Sequence, residues 1–334
     1  MSNANPQLPK SALPPPSLRP QVALFGAAGA VGRSIAQALR AAGTPYRVVG
    51  RSQATLQAQF GADPGAEIVT WNPEDAASIR AAAQGIDTLI YLVGVDYWQF
   101  ALHPLLMQRT LAAAMEAGVR HILLISTVYP YGLPQSERVT ESHPRAPHTF
   151  KGRMRKAQED LLLDAQAAGR IRATILRLPD FFGPAVEKSL LDSAFTAAAR
   201  GGTADLIGPI DRPHQFVFVP DVGPIVARLL AQPEAQGRVW HFAGSGITTQ
   251  QELVSEIERQ TGRPLRRRVA GKTVLRVLGL FNRVLRELVE MHYLQTSPVL
   301  LDDRALEAVL GPLPRTSYRE GVRQALAARQ SIDT

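Results

Sequence analysis

The run Gly26-Ala27-Ala28-Gly29-Ala30-Val31-Gly32 constrains the fold of this chain more than any other stretch. It follows a short β-type run, Val22-Ala23-Leu24-Phe25. It precedes residues 33–42, where Ile35, Ala38, Leu39 and Ala42 recur at helical spacing and Gly43 supplies a C-terminal stop. Strand, glycine turn and helix together make a dinucleotide site. The glycines allow a tight turn, close backbone approach to a pyrophosphate and close helix–strand packing, and the helix N-terminus offers free N–H groups to the phosphates.

Further βα units follow in step. The pattern predicts strands at 47–49, 67–71, 87–93 and 119–125, with helices at 73–83 and 102–117. The expected fold class is α/β: a doubly wound parallel sheet of Rossmann type with a smaller C-terminal substrate lobe. The expected division is a disordered tail over 1–20, a dinucleotide-binding domain over 21–184 and a substrate lobe over 185–330, with 215–245 returning to the Rossmann sheet. Residues 1–20 hold six prolines and no long apolar run, so neither a secretory signal nor an amphipathic presequence is expected there. No stretch is apolar enough to span a bilayer, and the expectation is a cytoplasmic protein with no stable membrane insertion.

Charge decides between cofactors. An NAD site places a carboxylate near the end of strand two to take the ribose 2′-hydroxyl. This chain has no Asp or Glu before Asp63, and strand two leads into Gly50-Arg51-Ser52. Arg51 and Ser52 therefore favour NADP(H) over NAD(H), because a guanidinium can pair with a 2′-phosphate, with Arg33 as a candidate helper. The alternative is that Arg51 is a solvated loop residue. The formal charge of +8 is spread along helical segments rather than in blocks, so nucleic acid is not the expected partner. With no cysteine and no metal-ligand spacing among seven histidines, neither a thiol nucleophile nor a metal centre is expected.

Several segments in order carry a family resemblance. The loop GAAGAVG, then LLISTVYPYG (123–132), ILRLPDFFGP (175–184), FVFVPDVG (216–223) and VWHFAGSGITTQQELVSEIERQTGRP (239–264) resemble the short-chain dehydrogenase/reductase superfamily. The likeness is to its extended and atypical branches, including the NAD-dependent epimerase/dehydratase family, and runs from about Gln21 to about Ala327. It implies a cofactor site built from Gly26, Ala28, Gly29, Ala30, Val31, Gly32, Arg51, Ser52, Leu92, Val93, Leu178 and Pro179. It also implies a small-molecule substrate and a homodimer as a candidate assembly.

The resemblance implies a mechanism from which the sequence departs. The family uses a Tyr four residues before a Lys on the helix after strand five, with a Ser or Thr bonding the substrate oxygen. In HTFKGRMRKAQEDLLL (148–163), Lys156 fits the Lys position, also as a ribose contact, and the Tyr position falls on Gly152. There is no Tyr between Tyr131 and Tyr293, so no shift of alignment restores it. The remaining catalytic candidates are Thr127 with Ser126, Lys156 and Lys151. An ammonium titrates near 10.4 when solvated, so Lys151 as a base needs burial or neighbouring cations to bring it down. Tyr129 and Tyr131 are read as core aromatics, and the basic cluster can equally bind cofactor phosphate or face solvent.

Residues 272–294 read as one long helix with a polar stripe; the expectation is that the core covers its remaining circumference, and the alternative is a basic amphipathic helix lying on a membrane surface. The leading expectation is an NADP(H)-dependent reductase, epimerase or dehydratase-like oxidoreductase acting on a small polar or sugar-like substrate. The alternative is a non-catalytic NADP(H)-binding sensor or assembly protein of the atypical type, which the missing Tyr favours.

Overall fold

The computed structural model of the protein describes residues 21–330. The expected tail over 1–20 lies outside the described residues. In chain order the elements begin β1 (Val22–Phe25), α1 (Ala30–Ala41), β2 (Tyr46–Gly50), α2 (Gln53–Phe60), β3 (Ala66–Thr70), α3 (Ala76–Ala83), β4 (Thr88–Tyr91) and α4 (Leu102–Glu116). They continue with β5 (His121–Thr127), α5 (Phe150–Ala167), β6 (Arg172–Leu178), β7 (Asp180–Phe182), α6 (Asp192–Arg200), β8 (Thr203–Ile207) and β9 (His214–Phe218). The last part holds α7 (Val222–Ala231), β10 (Val239–His241), β11 (Ile247–Thr248), α8 (Gln250–Thr261), β12 (Arg266–Ala270), α9 (Lys272–Leu278), α10 (Arg283–Leu288), α11 (Tyr293–Thr296), α12 (Arg304–Leu310) and α13 (Tyr318–Gln330).

Seven strands form one parallel sheet in the order β3-β2-β1-β4-β5-β6-β10. The order reverses between β1 and β4, and this is the switch point beyond whose strand carboxyl ends such folds bind ligands. Helices cover both faces, so the strands are apolar on both sides. Ala23 and Phe25 pack with Trp71, Ile79, Met107 and Leu162 on one face, and Leu24 packs with Ile35, Leu39, Val226 and Leu229 on the other. The expected α/β doubly wound fold is the observed one.

The smaller lobe holds two short sheets, β11-β9-β7 and β12-β8, closed over Phe182, Phe195, Phe216, Phe218, Leu253, Ile257 and Val322. Two expectations are corrected here. Residues 214–218 do not join the Rossmann sheet: β9 pairs with β7 and β11, and the return is made by α7 and β10 alone. α7 comes close enough to α1 that a Cβ on Gly223 would lie 2.1 Å from the Ser34 carbonyl oxygen. Residues 272–294 are not one helix either. The chain breaks after α9, restarts where Asn282 accepts the Val284 and Leu285 N–H groups, and passes through a 3-10 turn before α11. The helix α2 went unread because Leu56 and Phe60 are its only buried residues.

Two buried imidazoles tie the sheet to its surroundings. His121 Nε2 lies 2.8 Å from Thr174 Oγ1, and His241 Nε2 lies 2.5 Å from the Tyr131 hydroxyl. Burial, with Arg172 nearby, holds His121 at about 4; burial, with Arg177 nearby, holds His241 at about 3. The unfolded chain takes up these protons near pH 6.5 and the folded one does not. Their contribution to stability is therefore full above pH 6.5 and is lost as pH falls toward the folded values. By pH 5.5 each should cost about 1.4 kcal/mol relative to pH 8. Urea midpoints should be flat from pH 8 to 7 and drop below 6.5, ahead of the carboxylate range. A flat midpoint down to pH 5 would reject this account.

Candidate active site

At the switch point three chain segments converge on the glycine turn. Gly26 has φ +88°, and its N–H donates to Val49 O at 2.9 Å. A Cβ on Gly26 would lie 2.9 Å from the carbonyl carbon of Leu92 and 3.0 Å from the nitrogen of Val93, so those two residues border the turn. A Cβ on Gly32 would meet Ala27 O at 2.2 Å, which ties α1 tightly to the turn. Gly29 is the N-cap of α1, has no side chain to cap it, and faces open space where a Cβ would stand. The first intrahelical bond runs from Arg33 N–H to Gly29 O, which leaves the Ala30, Val31 and Gly32 N–H groups for a ligand. Ala28, Ala30 and Val31 are only partly buried. An open, uncapped helix start beside a close-approach turn fits a dinucleotide diphosphate.

Past β2, Arg51 is exposed and forms no ion pair among the described residues. Ser52 is exposed too, and its hydroxyl caps α2 by accepting the Thr55 N–H at 3.3 Å. Arg33 donates to Ala185 O at 3.2 Å, across from the smaller lobe.

The end of β5 sends its two hydroxyls to different places, as strand alternation requires. Ser126 is buried; its Oγ donates to Glu159 Oε1 at 2.6 Å and accepts from Arg155 at 3.5 Å. Thr127 is partly exposed, pairs in register with Leu178, and accepts the Tyr129 N–H at 3.3 Å. Pro179 follows directly, so Thr127, Leu178 and Pro179 share one edge of the cleft.

The helix α5, capped by Thr149, buries Lys151, Arg155, Gln158, Glu159 and Leu162. Arg155 reaches the end of β5, donating to Ile125 O at 3.2 Å, and donates to His103 Nδ1 at 3.2 Å. Burial and the Arg155 charge push His103 down to about 2, so it stays a neutral acceptor. Lys151 is 1% exposed. Its Nζ lies 2.6 Å from both Glu287 and Glu290, above the Tyr97 and Phe100 rings at 5.0 and 5.6 Å. Its direct partners are thus anions, the reverse of the cationic surroundings that a base would need. Lys156, by contrast, is half-exposed and pairs with Asp160 one turn along the same helix at 2.6 Å. Gly152 has no room for a side chain: a Cβ would lie 2.7 Å from Pro147 and 2.9 Å from Tyr129 O. The i,i+4 pair of cations on the buried face of α5 is therefore Lys151 with Arg155, one residue before the Gly152 and Lys156 positions that the family resemblance implies.

Two aromatic hydroxyls lie beside Lys151. Tyr97 and Tyr129 are 3.1 Å apart at their oxygens. Burial pushes the Tyr129 phenol up to about 12, with Asp180 adding to it, and burial with Tyr129 nearby raises Tyr97 well above the ordinary phenol range. Both stay protonated at neutral pH. Asp180 is held by His214 at 2.6 Å.

The sequence reading missed the group beneath the cleft. Glu159, fully buried, takes Arg177 at 2.5 and 3.0 Å and Arg145 at 3.1 Å; Arg177 in turn donates to Tyr131 at 2.5 Å. The available signal was Arg177 inside the apolar run Ile175-Leu176-Arg177-Leu178, since a charge there has to be paired. Among the described residues no cluster of His, Asp and Glu is arranged to hold a metal ion, and no helix is long and apolar enough to cross a membrane.

Known proteins share this architecture. The family model described as "NAD dependent epimerase/dehydratase family" matches residues 22–243. A (4-alkanoyl-5-oxo-2,5-dihydrofuran-3-yl)methyl phosphate reductase of Streptomyces griseus is 27% identical, over 73% of this chain and 75% of that protein. A dTDP-6-deoxy-L-talose 4-dehydrogenase (NAD(P)(+)) of Kitasatospora kifunensis is 26% identical, over 73% of this chain and 80% of that protein. Among solved structures, UDP-glucuronic acid 4-epimerase from Bacillus cereus, in complex with NAD, matches with a TM-score of 0.78 at 15% identity, covering 94% of this chain and 99% of that one. The family match spans the cofactor turn, the Thr127 strand, the α5 pair and the returning strand β10, and on that ground the chain belongs to the NAD-dependent epimerase/dehydratase family.

Proposed function

We propose that the protein is an NADP(H)-dependent reductase for a small polar or sugar-like carbonyl compound, with Lys151 standing where the family's tyrosine is expected and Arg155 where its lysine is. One observation carries this reading: Lys151 and Arg155 are the cations spaced four apart on the buried face of α5, next to the end of the strand that bears Thr127. The relatives named as a reductase and a dehydrogenase, one with NAD(P)(+) in its name, support the reaction class.

When bound, the reduced nicotinamide supplies a hydride to the carbonyl carbon. The chain's own residues do the rest. Ala30, Val31 and Gly32 hold the diphosphate through their N–H groups, and Arg51 with Ser52 holds the 2′-phosphate. Thr127 donates a hydrogen bond to the substrate oxygen. Lys151, kept charged between Glu287 and Glu290, stabilises the negative charge that develops on that oxygen, and solvent water supplies the proton. Arg155 stays charged and turns toward the ribose side. Lys156 takes no step, and Ser126 acts as a strut between Arg155 and Glu159. Arg51 as a phosphate contact, Leu92 and Val93 beside the glycine turn, and Leu178 with Pro179 over the nicotinamide complete the cofactor site.

A second reading rests on the same lysine. The Glu287 and Glu290 contacts leave Lys151 1% exposed, an arrangement that also suits a cofactor-binding protein without turnover. The experiment that separates the two is NADPH oxidation against a panel of keto-sugar nucleotides and small ketones. Oxidation with at least one member, lost in Lys151→Met, supports the enzyme. Tight NADPH binding with no oxidation across the panel supports the binding protein.

A further inference from the structure

The segment expected to pack its apolar side against the core does so only at Leu275 and at its end, through Met291, Tyr293 and Leu294. α9 and α10 form a short hairpin whose tip stands in solvent: Leu280 is 77% exposed and Phe281 89%, and Val274, Val277, Leu278 and Val284 are exposed as well. The tip is ordered by backbone bonds from Leu280 N–H to Val277 O and from Asn282 N–H to Leu278 O. From 272 to 286 the chain carries Lys272, Arg276, Arg283 and Arg286 and no acidic residue. All four cations are exposed. The acidic residues that follow, Glu287 and Glu290, point inward to Lys151.

We propose that this hairpin seats the protein on an anionic phospholipid surface, with Leu280 and Phe281 entering the headgroup–acyl boundary and Lys272, Arg276 and Arg286 against lipid phosphates. The charge pattern favours this occupant over a second copy of the chain. A two-fold contact through this patch would bring four cations against four more, whereas an anionic bilayer complements them. The apolar tip favours a bilayer over a purely polar polyanion, which would leave Leu280 and Phe281 in water. The hairpin leads straight into the segment whose Glu287 and Glu290 hold Lys151, and Arg283 sits 5.0 Å over the Trp98 ring.

Flotation of the full chain tests this, with vesicles of phosphatidylcholine alone and vesicles containing about one-third phosphatidylglycerol. The protein should float with the anionic vesicles and not the neutral ones, and added salt should release it. Leu280→Asp with Phe281→Asp should lower the partition coefficient by about tenfold or more, and Arg276→Glu with Arg286→Glu should do likewise. These side chains are exposed, so the melting temperature of each variant should match that of the parent. Three results would each overturn the proposal: no flotation on either vesicle, equal flotation on both, or a micromolar dimer that the Leu280→Asp, Phe281→Asp change dissolves.

Discussion

Gly29→Val should abolish cofactor binding while leaving the cofactor-free protein folded. The Gly29 Cβ position faces open space, and its φ of −73° suits any residue, so the branched side chain meets no protein atom. It would fill the volume in front of the Ala30, Val31 and Gly32 N–H groups, where the diphosphate has to sit. Affinity should fall by about a hundredfold or more, because several charge-assisted hydrogen bonds are lost together. Calorimetry should show no heat with NADPH, and the melting temperature without cofactor should stay within a few degrees of the parent's. Gly32→Val should behave differently. Its Cβ would collide with Ala27 O, so that variant should lose stability as well as binding. Normal NADPH affinity in Gly29→Val would place the phosphates elsewhere.

Lys151→Met should cut turnover by about a hundredfold or more while moving NADPH affinity by less than about threefold, because it removes the cation that stabilises the developing oxyanion and not a phosphate contact. Lys156→Ala is the control. Its half-exposed pair with Asp160 is of the surface type, worth well under about 1 kcal/mol, and neither binding nor turnover should change much. Lys151→Tyr combined with Arg155→Lys places the family's pair on the face that points to the end of β5. This double variant should reduce carbonyls at least as well as Lys151→Met does. Gly152→Tyr should unfold or misfold the start of α5, since even a Cβ is crowded there. If Lys156→Ala lost turnover and Lys151→Met kept it, the roles assigned along α5 would be wrong.

The parts of the fold that were legible from sequence are those set by local chemistry. The glycine turn, its strand and its helix could be read because three glycines and a helical repeat fall next to each other. The short apolar runs of β1 and β5 and the resemblance in segment order did the rest. What was not legible depends on long-range pairing. Nothing local to His214–Phe218 says that it pairs with Asp180–Phe182 rather than with the large sheet. The break in 272–294 did leave a signal, Gly279 followed by the N-cap Asn282, but the continuous apolar pattern outweighed it. In the candidate site, a one-residue shift on α5 rotates a side chain by about 100°. The buried spacing of Lys151, Arg155, Gln158, Glu159 and Leu162 fixes the register, and it becomes visible only once Arg155 is seen to reach Ile125 and Ser126. Glu287 and Glu290 come from a segment well over a hundred residues away, which no spacing argument reaches.

The central claim is an NADP(H) site on the α1 glycine turn with Arg51 at the 2′-phosphate, and calorimetric titration of the unaltered chain with NADPH and with NADH tests it most directly. With one or two charge-assisted bonds from Arg51 at about 1.5–3 kcal/mol each, NADPH should bind at least about tenfold tighter, and Arg51→Asp should invert the order. Equal affinity for the two cofactors, or a preference unmoved by Arg51→Asp, would contradict the account.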